Sequence, residues 1–84
     1  MTNRPRKFYT LSELTELAHA HGCELRYKRT QAVFSLHLAD RPEQWCWIIN
    51  PASGERVRLV RELDRHEWGV LLARTRDELA RRNG

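Results

Sequence analysis

The feature that most constrains the fold is a pair of strand-like segments separated by turn-forming residues. Residues 45–50 are apolar at almost every position, which is typical of a strand covered on both faces or lying inside a sheet. Residues 56–61 alternate arginine with aliphatic side chains, which is the period of a half-buried strand. Residues 51–54 (Pro-Ala-Ser-Gly) have the composition of a turn. The two segments are therefore predicted to pair as a β-hairpin.

Counting across the turn predicts which side chains of this hairpin share a face. With a four-residue turn, Asn50 faces Glu55 and Trp47 faces Arg58, and directly opposite residues lie on the same face of an antiparallel pair. The side chains predicted to point inward are Cys46, Ile48, Val57 and Leu59. The tryptophans at positions 45 and 47 are then predicted to stand on the outer face. A shift of one residue would reverse the faces and bury both rings.

Two helices are predicted at the ends of the chain, each with a capping box. The first begins after Thr10, with Glu13 at the reciprocal position, and ends before Gly22. The second begins after Asp64, with Glu67 at the reciprocal position. The apolar face predicted for the first helix is Leu11, Leu14, Leu17 and Ala18. The buried stripe predicted for the second is Trp68, Leu71, Leu72, Thr75 and Leu79.

Two further segments, residues 23–28 and 32–38, alternate apolar with polar side chains as half-buried strands do. The predicted fold class is therefore α+β, a small antiparallel sheet of three to four strands with N- and C-terminal helices packed on one face (α-β-β-β-β-α). Residues 1–8 are predicted to be a flexible basic arm, and residues 9–84 a single compact α+β domain.

The charge of the chain bears on its partners and location. Fifteen basic residues, thirteen of them arginine, exceed eleven acidic ones and give a net charge of +4. Such a chain is attracted to nucleic acid and to acidic proteins, and arginine in particular grips phosphate and carboxylate and stacks on aromatic rings. The sequence has no apolar run long enough to cross a membrane and only two cysteines, so we expect a cytoplasmic protein with no membrane contact.

The outer face of the predicted sheet carries the candidate binding site. Aromatic rings interleaved with cations suit single-stranded nucleic acid, because bases stack on the rings while cations hold phosphates. The alternative is a solvated charged face on which arginine stacks on tryptophan as a local cation–π pair. The predicted site residues are Arg26, Lys28, His37, Trp45, Trp47, Arg56 and Arg58.

Metal binding and catalysis find little support in the sequence. His19, His21 and Cys23 are clustered, but residues two apart on a helix point about 200° from each other, so no metal or cofactor is predicted. Ser35 and His37 are neighbours on one strand face, about 7 Å apart, which is too far for a tight Ser–His pair. We therefore expect a protein that is not an enzyme. Cysteines 23 and 46 would be about 9.6 Å apart, too far for a disulfide.

The run from Leu14 to Phe34 resembles the HicA-type toxins, small double-stranded-RNA-binding-like α-β-β-β-α proteins that cleave mRNA. The matching residues are Gly22, Glu24 and Leu25. The glycine-serine-histidine of that family falls here near residues 30–32 (Thr-Gln-Ala), which include no histidine. The resemblance thus implies a related topology without the nuclease chemistry.

Together these observations predict a non-enzymatic binding module whose outer sheet face engages nucleic acid or a nucleoprotein complex. The alternative is a small inhibitor or adaptor of the kind encoded by phages and mobile elements, anti-CRISPR proteins among them, which docks on a protein with an acidic surface. An edge strand of so small a sheet could also support a homodimer.

Overall fold

The computed structural model describes residues 7–82 of the chain. Its elements are, in chain order, helix α1 (Leu11–Ala20), strands β1 (Cys23–Lys28), β2 (Val33–Leu38) and β3 (Trp45–Trp47), a short 3₁₀ helix (Val60–Glu62) and helix α2 (Arg65–Arg81). Most of the predicted basic arm, residues 1–6, lies outside the described residues. At the end of that predicted arm, the carbonyl of Lys7 accepts a hydrogen bond from the Arg65 amide at 3.1 Å.

The three strands form one antiparallel sheet in the order β1-β2-β3, so the predicted α+β class is confirmed with three strands. In this pairing Leu25 lies opposite Leu36, and Leu36 lies opposite Cys46. Every residue of β2 is buried, because β2 has a strand on each side and is covered on both faces.

The predicted fourth strand is not formed beyond the hairpin turn. The predicted pairing is present near the turn, where Ile49 bridges Arg56 and the Val57 amide donates to the Ile48 carbonyl at 2.9 Å. At Arg58 the amide donates instead to the Glu62 carboxylate at 3.1 Å, and the chain turns into the 3₁₀ helix. The prediction that Leu59 points inward is therefore wrong, and its side chain is 64% exposed.

Both helices begin as predicted. Thr10 accepts from the Glu13 amide and Asp64 from the Glu67 amide, and each glutamate reciprocates to the amide of its cap residue. Gly22 follows α1 with a φ of 72°, a left-handed conformation that glycine adopts without strain. The predicted buried stripe of α2 is buried throughout.

One predicted core residue of α1 is not in the core. Leu14 and Ala18 are fully buried and Leu17 is half-buried, but Leu11 in the first turn is largely exposed. This ten-residue helix covers the sheet with its middle turns, which leaves its first residue at the margin.

The core lies between the sheet and the two helices. It brings together Leu14 and Ala18 of α1, Leu25 and Leu36 of the sheet, and the α2 stripe. Trp68 of α2 is fully buried, and its indole Nε1 donates to the Val60 carbonyl at 2.8 Å. No helix within residues 7–82 has the length and apolar character required to cross a membrane.

Candidate functional site

The face of the sheet opposite the core, here called the outer face, is built from three strands in register. Its residues are Glu24, Arg26 and Lys28 of β1, Val33, Ser35 and His37 of β2, and Trp45 and Trp47 of β3. Ser35 lies directly between Arg26 and Trp47, and His37 lies directly between Glu24 and Trp45. The register therefore places both tryptophans on this face, as predicted.

A continuous row of rings and one cation runs along one side of the outer face. The imidazole of His37 is stacked with Trp45, with ring centroids 5.6 Å apart and planes inclined by 16°. Trp45 meets Trp47 edge to face at 5.0 Å, and the guanidinium of Arg56 lies 4.9 Å from the centroid of the Trp47 ring. Trp45 is 41% exposed and Trp47 is partly buried. The row thus leaves indole surface open to solvent.

The middle of the outer face is largely buried. Ser35 and His37 are each only 7% exposed. Their side chains make a hydrogen bond of 3.0 Å between Oγ and Nε2, so the prediction that they are too far apart is wrong. That prediction used the backbone spacing, whereas two side chains on the same face can lean together. The other ring nitrogen, Nδ1, lies 3.1 Å from the Pro42 carbonyl oxygen.

Two cations of β1 stand on the other side of this face. Arg26 makes an ion pair of 2.9 Å with Glu24, and both side chains are about half exposed. The hydrogen bond from Arg26 lowers the pKa of the Glu24 carboxyl, so this carboxylate is ionised and partly compensates the arginine. Lys28 is exposed and has no ion pair among the described residues. Lys28 is therefore the cation of β1 that is free to meet an anion.

A cavity of about 310 Å³ opens on the outer face between these two sides. The central strand forms its floor, the cations of β1 one wall and the indoles of β3 the other. Its lining residues are Arg26, Tyr27, Lys28, Ser35, His37, Trp45 and Trp47. Five of the seven predicted site residues therefore surround one cavity, which lies at the small end of the range of about 300–1,000 Å³ for small-ligand sites.

The two remaining predicted residues are placed differently. Arg56 reaches the outer face through its contact with Trp47. Arg58 does not line that cavity, because the chain leaves the sheet at this residue and no fourth strand carries it there. It lines a separate cavity of about 150 Å³ together with Leu11, Tyr27, Phe34, Leu59 and Val60. The prediction that Arg58 shares the face of Trp47 is wrong.

Three residues of the site were missed by sequence reasoning. Ser35 was assigned to the outer face by alternation but was not counted among the predicted site residues. Glu24 was also assigned to the outer face, but the predicted site was a set of cations and aromatic rings, so this carboxylate was not included. Pro42 lies in a loop and contributes only its backbone carbonyl. No sequence pattern predicts such a contact.

The cysteines and histidines near the end of α1 do not form a second site. Within residues 7–82, no three side chains of His, Cys, Asp or Glu converge in a way that could hold a metal ion. Cys23 and Cys46 are both free thiols, and burial raises the pKa of each.

Comparisons of the chain with protein-family models, with curated proteins and with solved structures find no match. The geometry of the outer face therefore carries the functional argument alone.

Proposed function

We propose that the protein is a non-enzymatic, cytoplasmic binding module whose outer face takes single-stranded nucleic acid. The observation that supports this best is the cavity with open indole surface on one wall and cations on the other. Trp45 is stacked with His37, and the part of its ring that stays exposed supplies a surface on which a base can stack. Lys28 supplies a charge for the adjacent phosphate. Alanine substitution at such stacking rings costs about 1–3 kcal/mol per base.

The size of the cavity favours a single strand over a duplex. At about 310 Å³ it accommodates one small planar group standing between β1 and β3. Bases of a duplex are stacked and paired, and an intact duplex presents phosphates rather than free base surfaces. A duplex would therefore meet the cations and leave the indoles unused.

The charge distribution limits the expected salt dependence. Glu24 compensates much of the charge of Arg26, which leaves Lys28 and Arg56 as the main phosphate partners. Each phosphate contact to a single strand contributes about −0.7 to the slope of log K against log salt. Two or three contacts therefore give a slope of about −1.4 to −2.1, which is a shallow dependence for a nucleic-acid-binding protein.

Fluorescence anisotropy with labelled single-stranded and duplex oligonucleotides at two salt concentrations tests the proposal. We expect saturable binding of the single strand that weakens with salt. Trp45→Ala should weaken binding about tenfold or more, and Lys28→Ala should flatten the salt slope. Arg81→Ala is the matched control, because it removes one positive charge from the exposed side of α2. Absence of binding at low salt, or equal losses in the control, contradicts the proposal.

A second candidate function, docking on a protein with an acidic surface, is favoured by a different patch. Leu59, Leu11 and Tyr27 are exposed around the small cavity that Arg58 also lines. Such an apolar patch beside a cation suits a partner whose own patch is rimmed by acid. A protein partner that survives nuclease treatment, is lost with Leu59→Asp and is retained with Trp45→Ala would favour this function over the first.

A further inference from the structure

Ser35, His37 and the Pro42 carbonyl form a chain of two hydrogen bonds, and the chemistry of the carbonyl determines which atoms in it carry protons. A carbonyl oxygen can only accept, so the bond between His37 and the Pro42 carbonyl places a proton on Nδ1. In a neutral imidazole the other nitrogen, Nε2, then carries a lone pair and no proton. Ser35 Oγ, 3.0 Å from Nε2, must therefore donate its proton to the histidine.

The consequence for the cavity is a floor that accepts hydrogen bonds and does not donate them. A serine hydroxyl has one proton and two lone pairs, and here the proton is committed to His37. Ser35 lines the cavity, so what it offers to an occupant is lone-pair density. The donors around the cavity belong to residues of the neighbouring strands, β1 and β3, and not to the floor. They are the side chains of Arg26, Tyr27 and Lys28 and the indole N–H groups of Trp45 and Trp47.

We propose that this floor selects bases that carry an exocyclic amine, such as cytosine, over bases that carry a carbonyl at the same position, such as uracil. This inference rests on the proposed function. The base enters edge first between the two walls, with one π-face against indole. Its amine then donates to Ser35 Oγ. A carbonyl in that place would set two acceptors against each other, and the floor has no proton to separate them.

The expected size of the effect follows from one hydrogen bond. A typical net contribution corresponds to a factor of about five in affinity, with a range from about twofold to tenfold. Stacking on Trp45 and the phosphate contacts are the same for both pyrimidines, because cytosine and uracil are nearly identical in shape. The part of their affinity ratio that Ser35→Ala removes therefore measures the contribution of the floor.

The test compares oligo(dC) and oligo(dU) of about ten nucleotides by anisotropy at neutral pH and low salt. We expect oligo(dC) to bind about fivefold tighter. Ser35→Ala should abolish the difference, and Ser12→Ala, which changes an exposed serine of α1, should leave the difference intact.

The wild-type comparison decides the inference even if Ser35→Ala fails to fold. Equal affinities, or tighter binding of oligo(dU), would overturn the acceptor floor while leaving single-strand binding in place. Persistence of the preference in a folded Ser35→Ala protein would also overturn it. Failure of both oligonucleotides to bind would refute the proposed function, and is thereby distinguished from loss of selectivity.

Discussion

The substitution Trp68→Phe measures how much the one tryptophan on the core side contributes to the free energy of unfolding. Trp68 is fully buried, meets Phe34 edge to face at 5.8 Å and donates its indole N–H to the Val60 carbonyl at 2.8 Å. Phenylalanine keeps one six-membered ring in the core. It removes the hydrogen bond and leaves a gap where the pyrrole part of the indole was.

The expected cost has two parts. The Val60 carbonyl is partly buried, and its loss of the donor costs about 1–3 kcal/mol. Full truncation of a buried tryptophan to alanine costs roughly 3–5 kcal/mol. The change to phenylalanine removes only part of the ring system, so we assign about 1 kcal/mol to the lost ring atoms. The free energy of unfolding should therefore fall by about 3 kcal/mol, which lowers the melting temperature of a domain this size by about 12–24 °C.

The matched control is Trp45→Phe, which makes the same chemical change on the outer face. Trp45 is 41% exposed and has no hydrogen bond from its indole nitrogen to another described residue. Its replacement should change the free energy of unfolding by less than about 1 kcal/mol. Urea unfolding followed by far-ultraviolet circular dichroism measures both proteins. If Trp45→Phe costs as much as Trp68→Phe, the β-sheet pairing is shifted and the reasoning about faces is refuted.

Two further substitutions test the local energetics. Gly69→Ala should stabilise the protein by about 1 kcal/mol, because a methyl group there meets no atom within 4 Å and alanine favours a helix interior; a lower melting temperature would contradict this. Burial alone would raise the pKa of Glu62, but hydrogen bonds from the Asn50 side chain and the Arg58 amide help lower it overall. A lowered folded-state pKa gives stability that is present above the unfolded value of about 4.3 and is lost as pH falls through the folded value. The wild type should therefore lose stability more steeply than Glu62→Gln in urea titrations below about pH 5, and parallel pH profiles would refute this assignment.

The features predicted correctly from the sequence are those fixed by short-range spacing. The capping boxes at Thr10 and Asp64 need residues only three positions apart, and both formed as predicted. The α2 stripe follows from a helical period that no distant contact disturbs. The hairpin pairing at Ile49 and Arg56 follows from the length of its turn.

The features that were missed depend on contacts between distant parts of the chain. Continuation of the fourth strand failed because Glu62 takes the Arg58 amide, and alternation along residues 56–61 cannot show that competition. The burial of His37 depends on Trp45 covering it from the neighbouring strand and on a loop carbonyl at Pro42. Alternation assigned the faces of β1 and β2 correctly, but it could not show which outer residues cover others.

The most direct test of nucleic-acid binding by the outer face follows the three tryptophan side chains separately. A nitrogen–proton correlation spectrum of the labelled protein contains one indole signal for each of Trp45, Trp47 and Trp68. On titration with single-stranded oligonucleotide, the signals of Trp45 and Trp47 should shift together and saturate. The signal of Trp68, buried and bonded to the Val60 carbonyl, should stay in place. Saturable binding that leaves the Trp45 and Trp47 signals unmoved would contradict the account.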